Sequence, residues 1–127
     1  MTRILVLDDS ATMRRIVRNH LQTMGFESVE EVDNGHAALA KIEAGTVDLL
    51  VSDWAMPAMS GLAVLQTIRA SAKHSKLPVL MITGIGLEED IREAVNAGVS
   101  GYILKPFDPK TLAEKVSQIL SDATVKA

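Results

Sequence analysis

The chain has 127 residues, of which 47% are hydrophobic and 23% charged, so it is the size of one folded domain and a disordered chain is excluded. A formal net charge of −3, with both signs spread along the chain, argues against non-specific binding to nucleic acid. With no cysteine, no signal-peptide pattern and no apolar run of membrane-spanning length, we expect a cytoplasmic monomer that binds neither nucleic acid nor membrane.

The first part of the chain predicts a strand, a helix and a second strand. The apolar run ILVL at 4–7 is typical of a buried strand. Apolar residues spaced three and four apart then predict a helix that ends at Gly25. The next run, SVEEV at 28–32, alternates poorly and carries two glutamates, so we place this strand at an edge of the sheet. The helical stripe consists of Met13, Ile16, Val17, Leu21 and Met24, and the basic residues Arg14, Arg15 and Arg18 are expected to form a solvent-exposed helix face.

The rest of the chain repeats this alternation. Three further strands are predicted from DLLVSDW at 48–54, PVLMIT at 78–83 and GYILKP at 101–106. A helix follows each of the last four strands, and Asp108 and Pro109 are suited to the N-cap and first position of the last one. The apolar stripes of these helices contain Leu39 and Ile42, then Leu62, Leu65, Ile68 and Ala72, then Ile91, Ala94 and Val95, and finally Leu112, Val116, Ile119 and Leu120.

Five strand–helix units predict a single α/β domain over residues 1–127 with a parallel sheet covered on both faces. We expect the last seven residues, 121–127, to be a frayed tail.

Polar side chains follow four of these strands. Asp8 and Asp9 follow the first strand, Asp53 follows the third, Thr83 ends the fourth and Lys105 ends the fifth. The carboxyl ends of parallel strands meet at one edge of the sheet, where α/β domains bind ligands. The sequence therefore predicts one site containing three carboxylates, a hydroxyl and an ammonium group.

Such a site needs a source of positive charge. Two carboxylates ~5 Å apart repel each other by ~3 kcal/mol at an effective dielectric constant of about 20. Protonation, Lys105 or a divalent cation would relieve this repulsion. Oxygen ligands without cysteine favour Mg²⁺ among the cations. One of the acids is then suited to act as a nucleophile that forms an acyl phosphate, with Lys105 and Thr83 holding the phosphoryl oxygens.

The motifs VLDDS, MRRIVRNHL, SDWAMPAMSG, PVLMIT, AGVSGYILKPF and TLAEKV resemble the receiver domains of two-component response regulators, and single-domain chemotaxis regulators in particular. The resemblance extends from Arg3 to Leu120. It implies a flavodoxin-like, doubly wound five-stranded sheet in the order 2-1-3-4-5 with five helices.

The resemblance also implies the roles of the acids. Asp53 would accept a phosphoryl group from a phosphohistidine of a CheA-like histidine kinase. Asp9, Asp53 and the backbone carbonyl of Ala55 would ligate Mg²⁺, and Asp8 would bind it through a water molecule.

The other implied roles concern the response to phosphorylation. Lys105 would pair with the phosphoryl oxygens, Thr83 would turn inward to the phosphate, and Tyr102 would follow into the vacated space. The face formed by the fourth helix, fifth strand and fifth helix would then change its affinity for a protein target, with the flagellar switch as the first candidate. The loop and output-face residues implied in this way are Trp54, Gly84, Glu88, Ile91, Phe107 and Lys115.

Departures from the chemotaxis pattern bear on the lifetime of the phosphate, on the loop after Thr83 and on the output. Ala55 stands where asparagine is common, Gly84 is expected to loosen the loop after Thr83, and Glu88 stands where binders of the flagellar switch commonly carry lysine. A phosphate sink or a phosphorelay intermediate is therefore an alternative within the family. Trp54 is expected to be partly exposed and to report on the site.

An alternative from another class is a Mg²⁺-dependent phosphatase with an aspartyl nucleophile. The sequence lacks an insertion that would enclose a substrate, and Ala55 stands where such an enzyme needs a second acid. We therefore expect a phosphoacceptor that catalyses only its own phosphorylation and dephosphorylation.

Overall fold

The computed structural model describes residues 2–56, 58–84 and 88–126, with side chains up to residue 122. Within these ranges, five β-strands alternate with five α-helices along the chain. The strands are β1 (Arg3–Leu7), β2 (Ser28–Val32), β3 (Leu49–Asp53), β4 (Val79–Gly84) and β5 (Gly101–Lys105). The helices are α1 (Ala11–Thr23), α2 (Gly35–Glu43), α3 (Gly61–Ala70), α4 (Glu88–Asn96) and α5 (Pro109–Lys126).

The five strands form one parallel sheet in the order β2-β1-β3-β4-β5. This order and the α/β class confirm the predicted fold, and β2 lies at an edge as its poor alternation indicated. Because every strand runs in the same direction, the polar residues that end β1, β3, β4 and β5 share one edge of the sheet.

Helices cover both faces of the sheet, and consecutive residues of a strand point to opposite faces. In β1, Ile4 and Val6 join a core cluster with α1 and α5, whereas Leu5 and Leu7 join a cluster with α2, α3 and α4. All four side chains are at most 2% exposed. Burial on both faces explains why the run ILVL is apolar throughout.

The predicted helix ends at Gly25 and Asp108 are confirmed. Gly25 follows the last turn of α1 and has a φ of +101°, a left-handed conformation that glycine adopts without strain. Asp108 precedes Pro109 and accepts a hydrogen bond from the backbone N–H of Thr111 over 2.7 Å. The same bond holds the pKa of the Asp108 carboxyl below its usual range.

Three residues of the predicted apolar stripes lie elsewhere. Ile16 on α1 is 39% exposed and Val95 on α4 is 57% exposed, because neighbouring positions of the same helices face the sheet instead. Helix α3 ends at Ala70, so Ala72 lies beyond it. The spacing of apolar residues predicted the helices correctly, but the predicted apolar stripes included residues that the helices do not bury.

Helix α5 continues through Lys126, and the fraying of residues 121–127 stays a prediction. Within the part of the chain that the structure describes, no helix has both the length and the apolar character needed to cross a membrane.

Candidate functional site

Three carboxylates meet at the carboxyl edge of the sheet, as the sequence predicted. Asp8 and Asp9 come directly after β1, and Asp53 is the last residue of β3, which pairs with β1. One carboxylate oxygen of each residue lies within 4.8 Å of the other two. Asp8 and Asp53 are buried, whereas Asp9 is exposed. The cluster is therefore open to solvent on the side of Asp9.

Asp8 is only 2% exposed, and burial disfavours the ionised form of its carboxyl group. Removal from water raises the pKa of the Asp8 carboxyl, and the nearby Asp53 and Asp9 charges raise it further. Two contacts oppose the rise in this pKa: the backbone N–H of Ser10 donates to Asp8 Oδ1 over 2.9 Å, and Lys105 contributes its positive charge. Three acids at this separation fit a hard divalent cation, which would neutralise a repulsion that one lysine only partly offsets.

The Asp53 carboxylate accepts two hydrogen bonds that orient it. Lys105 Nζ lies 3.0 Å from Asp53 Oδ1, and the backbone N–H of Trp54 donates to the same oxygen over 3.0 Å. Among the described residues, both bonds fall on Oδ1, so Oδ2 is the oxygen without a donor.

Thr83, near the end of β4, is buried with an exposure of 2%, yet its Oγ1 has no hydrogen-bond partner among the described residues. A buried hydroxyl without a partner costs about 1–3 kcal/mol. In the sheet, β4 lies between β3, which carries Asp53, and β5, which carries Lys105. The Thr83 hydroxyl is thus an unused donor on the strand between the two charged residues.

The prediction that Trp54 is partly exposed is wrong, since only 4% of it is exposed. Its ring packs in the core cluster with α2, α3 and α4. Gly61 makes this possible, because a Cβ there would lie 2.6 Å from Trp54 Cε3 and 2.7 Å from the carbonyl oxygen of Asp53. The first residue of α3 therefore constrains the path of the chain after Asp53.

Ala55 is exposed two residues after Asp53, and its proposed role as a carbonyl ligand stays a prediction. Gly84, the last residue of β4, is partly buried, and residues 85–87 lie outside the described part of the chain.

The residues predicted for the output face lie on α4, β5 and α5 and in the loop that follows β5. Tyr102 packs partly against the core cluster with α2, α3 and α4, and Lys115 Nζ lies 5.9 Å from the centroid of its ring. Phe107 packs on the opposite face of the sheet, 6.5 Å from His20 between ring centroids. Glu88 is exposed in the acidic first turn of α4, and Ile91 on the same helix is partly buried.

A doubly wound parallel sheet that carries three carboxylates, a lysine and a buried hydroxyl at its carboxyl edge defines a class of signalling domain. The chain belongs to the response regulator receiver domain family, whose family model matches residues 4–117. The resemblance stated from the sequence motifs is thereby confirmed.

Within this family, the chain is similar to chemotaxis proteins of the CheY type. The chemotaxis protein CheY-3 of Vibrio cholerae is 49% identical over 117 residues, which cover 92% of this chain and 90% of the relative. The chemotaxis protein CheY of Pseudomonas aeruginosa is 44% identical over 117 residues, which cover 92% of this chain and 94% of the relative. The protein is therefore a CheY-like receiver.

Solved structures agree with this assignment. The chemotaxis response regulator CheY4 of Vibrio cholerae superimposes with a TM-score of 0.85 at 34% identity and covers 94% of this chain and 98% of its own. A CheY-like receiver domain protein from Methanospirillum hungatei superimposes with a TM-score of 0.90 at 29% identity, with 100% of this chain and 99% of that chain covered.

Proposed function

We propose that this protein is a phosphorylation-dependent signalling switch in which Asp53 is the phosphoacceptor. The observation that supports this most strongly is the pairing of Asp53 with Lys105 over 3.0 Å inside a cluster that also contains Asp8 and Asp9. A lysine here stabilises the ionised nucleophile before the reaction and the added phosphoryl charge afterwards.

The proposed reaction transfers a phosphoryl group from a phosphohistidine of a CheA-like histidine kinase. Asp53 Oδ2 attacks the phosphorus, the O–P bond forms as the N–P bond breaks, and the imidazole nitrogen keeps the electron pair and takes up a proton. Later attack of water on the same phosphorus releases inorganic phosphate and regenerates the Asp53 carboxylate. The protein would catalyse only these steps on itself and would not turn over a separate substrate.

The residues of the cluster fit a bound Mg²⁺. Asp9, Asp53 and the Ala55 carbonyl would hold it directly and Asp8 through water, and the ion would supply positive charge to the phosphoryl oxygens. The raised pKa of Asp8 and the mutual repulsion of the acids support a cation at this place.

The unused hydroxyl of Thr83 supports its proposed part in the switch. A phosphoryl oxygen on Asp53 would give Thr83 Oγ1 the acceptor it lacks. Tyr102 would follow the movement of Thr83 and change the face formed by α4, β5 and α5. Because the relatives named above are chemotaxis proteins, we propose chemotaxis as the output and the flagellar switch as the first target to test. Action in the cytoplasm as a monomer is part of the same proposal.

One experiment tests the phosphoacceptor directly. The protein is incubated with acetyl phosphate, with and without Mg²⁺, and its intact mass is measured. We expect one phosphoryl adduct that requires Mg²⁺ and is lost in Asp53→Asn. The matched control is Asp122→Asn, which changes an exposed aspartate of α5 and should leave the adduct unchanged. An adduct of equal yield in Asp53→Asn would contradict the assignment.

A second experiment separates a motor-binding output from a phosphate sink or phosphorelay role. The alternative is tested because Glu88 is acidic where binders of the flagellar switch commonly carry lysine. The phosphorylated and unphosphorylated protein are each tested for binding to the flagellar switch component. Binding that increases with phosphorylation supports motor control. Absence of binding in both states, with phosphoryl transfer back to a histidine domain, supports the alternative.

A further inference from the structure

Arg14 on α1 makes a partly buried contact that the sequence analysis did not predict. Its Nη1 donates to the backbone carbonyl oxygen of Asp8 over 2.7 Å, and its Nε lies 3.5 Å from Glu31 Oε1. The Arg14 side chain is 18% exposed, whereas that of Arg18 is 44% exposed. The prediction that the basic residues of α1 form a solvent-exposed face is therefore wrong for Arg14.

The carbonyl that Arg14 contacts belongs to the peptide that joins Asp8 to Asp9. A rotation of this peptide would move the Asp9 carboxylate relative to that of Asp8. A second bond holds the same turn, since the backbone N–H of Ser10 donates to Asp8 Oδ1 over 2.9 Å. Hydrogen bonds from an ionised donor are stronger than neutral ones, so Arg14 fixes the turn on its backbone side.

Glu31 holds the guanidinium of Arg14 in place from the edge strand. It lies on β2 opposite Val6 of β1, two residues before Asp8, and it also accepts from Arg18 Nη1 over 2.9 Å. Arg14 and Arg18 thus share one carboxylate, but Arg14 is the one that also contacts the turn. The pair provides a natural comparison within one helix.

We propose that Arg14 is a positioning residue for the acid cluster, which holds the Asp8–Asp9 peptide so that both carboxylates face Asp53. The inference rests on the Mg²⁺ site of the proposed function and adds to it a residue that touches neither the ion nor the phosphoryl group.

Whether Arg14→Gln strengthens or weakens Mg²⁺ binding distinguishes a positioning role of Arg14 from an effect of its charge alone. Removing a positive charge near a cation site reduces repulsion, so charge alone predicts tighter Mg²⁺ binding after Arg14→Gln. Loss of positioning predicts weaker binding, because the ligands must be ordered when the ion binds.

The test measures the dissociation constant for Mg²⁺ by calorimetry in the wild type, Arg14→Gln and Arg18→Gln. We expect Arg14→Gln to weaken binding about ten-fold, as loss of a partner that orients a metal ligand does. Arg18→Gln removes a charge and a bond to Glu31 but no bond to the turn, so its dissociation constant should stay within about two-fold of wild type. The dissociation constant of Arg14→Lys should be closer to that of Arg14→Gln than to that of the wild type, since lysine lacks the planar guanidinium that contacts two partners.

Amide hydrogen exchange of Ser10 in metal-free protein gives a readout that does not depend on Mg²⁺. Arg14→Gln should accelerate this exchange more than Arg18→Gln does, with urea unfolding showing that both variants are folded. Suppose that the wild type binds Mg²⁺, that Arg14→Gln binds it as tightly or more tightly, and that Ser10 exchange is the same in both proteins. This result would overturn the positioning role of Arg14 but not the proposed function. A wild type that binds no Mg²⁺ would overturn the proposed function together with it.

Discussion

Lys105 and Asp53 lie on strands that are not neighbours, yet Lys105 Nζ is 3.0 Å from Asp53 Oδ1. The lysine reaches past the end of β4 to the end of β3. The Asp53 side chain is 7% exposed and that of Lys105 is 34% exposed, so the ion pair is buried mainly on the acid side. The pairing places a positive charge against a buried carboxylate that lies beside two other acids.

Lys105→Met should destabilise the metal-free protein. Asp53 would be left buried without its cationic partner, which we expect to lower the free energy of unfolding by about 1–3 kcal/mol. Excess Mg²⁺ should recover most of this loss, because it supplies the missing positive charge. Urea unfolding in EDTA and in Mg²⁺ measures both values. The control Lys41→Met removes an exposed pair with Glu30 and should cost less than about 1 kcal/mol in either condition. An equal loss from Lys105→Met in both conditions would contradict the role of Lys105 as counter-charge.

Asp8→Asn should stabilise the metal-free protein at neutral pH. The raised pKa of Asp8 means that the folded state binds this proton more tightly than the unfolded state does. The charge of Asp8 therefore lowers the free energy of unfolding as pH rises through the interval between the unfolded and folded pKa values. We expect Asp8→Asn to raise the free energy of unfolding at pH 7, and to raise it less as the pH falls towards about 4. Unfolding measured across this range checks it, and a gain that does not depend on pH would count against the electrostatic cause. The same variant should bind Mg²⁺ more weakly.

Mg²⁺ alone should change the fluorescence of Trp54 and raise the stability of the protein. The Trp54 backbone N–H donates to Asp53 Oδ1. A cation bound by the Asp53 carboxylate should therefore change the environment of the Trp54 ring. At an Mg²⁺ concentration 100 times the dissociation constant, stability should rise by about 2.7 kcal/mol. Asp9→Asn should weaken both responses, whereas the exposed Asp122→Asn should leave them intact. A flat titration of the wild type would argue against the proposed ligands.

Thr83→Val should leave the unphosphorylated protein as stable as wild type, or more stable by about 1 kcal/mol. The reason is that the buried Thr83 hydroxyl has no partner to lose among the described residues. Ser52→Ala is the matched comparison, because the buried Ser52 hydroxyl donates to the Asp53 carbonyl over 2.8 Å, and its loss should cost about 1 kcal/mol. Thermal unfolding compares the two variants. Destabilisation by Thr83→Val beyond that of Ser52→Ala would mean that Thr83 is already engaged before phosphorylation.

Gly61→Ala should destabilise the protein by about 2 kcal/mol and weaken Mg²⁺ binding. The added methyl group would meet the Trp54 ring and the Asp53 carbonyl oxygen at less than contact distance, so the chain around Asp53 must shift. Gly25→Ala introduces strain from a positive φ at a position with open space, which should cost about 1 kcal/mol and leave Mg²⁺ affinity unchanged. Unfolding and Mg²⁺ titration of both variants separate a steric effect at the site from a general loss of stability.

The order of the strands and helices and the place of the site could be predicted from the residues before the fold was known. Runs such as ILVL are apolar on every residue because both faces of the sheet are covered, and this property can be read without knowing the neighbours. Once the strands are parallel, Asp8, Asp53 and Lys105 must lie on the same edge, since each ends a strand or directly follows one. The edge position of β2 followed from its two glutamates in the same way.

Which side chains are buried and which polar groups are paired became clear only from the folded chain. Trp54 is buried in the core cluster with α2, α3 and α4, and the Thr83 hydroxyl has no hydrogen-bond partner among the described residues. The sequence predicts a solvent-exposed position for Arg14, yet its side chain contacts the Asp8 carbonyl oxygen and Glu31 on β2. Local patterns record the period of a helix or strand, but burial and pairing depend on groups that are distant in the chain and meet only when it folds.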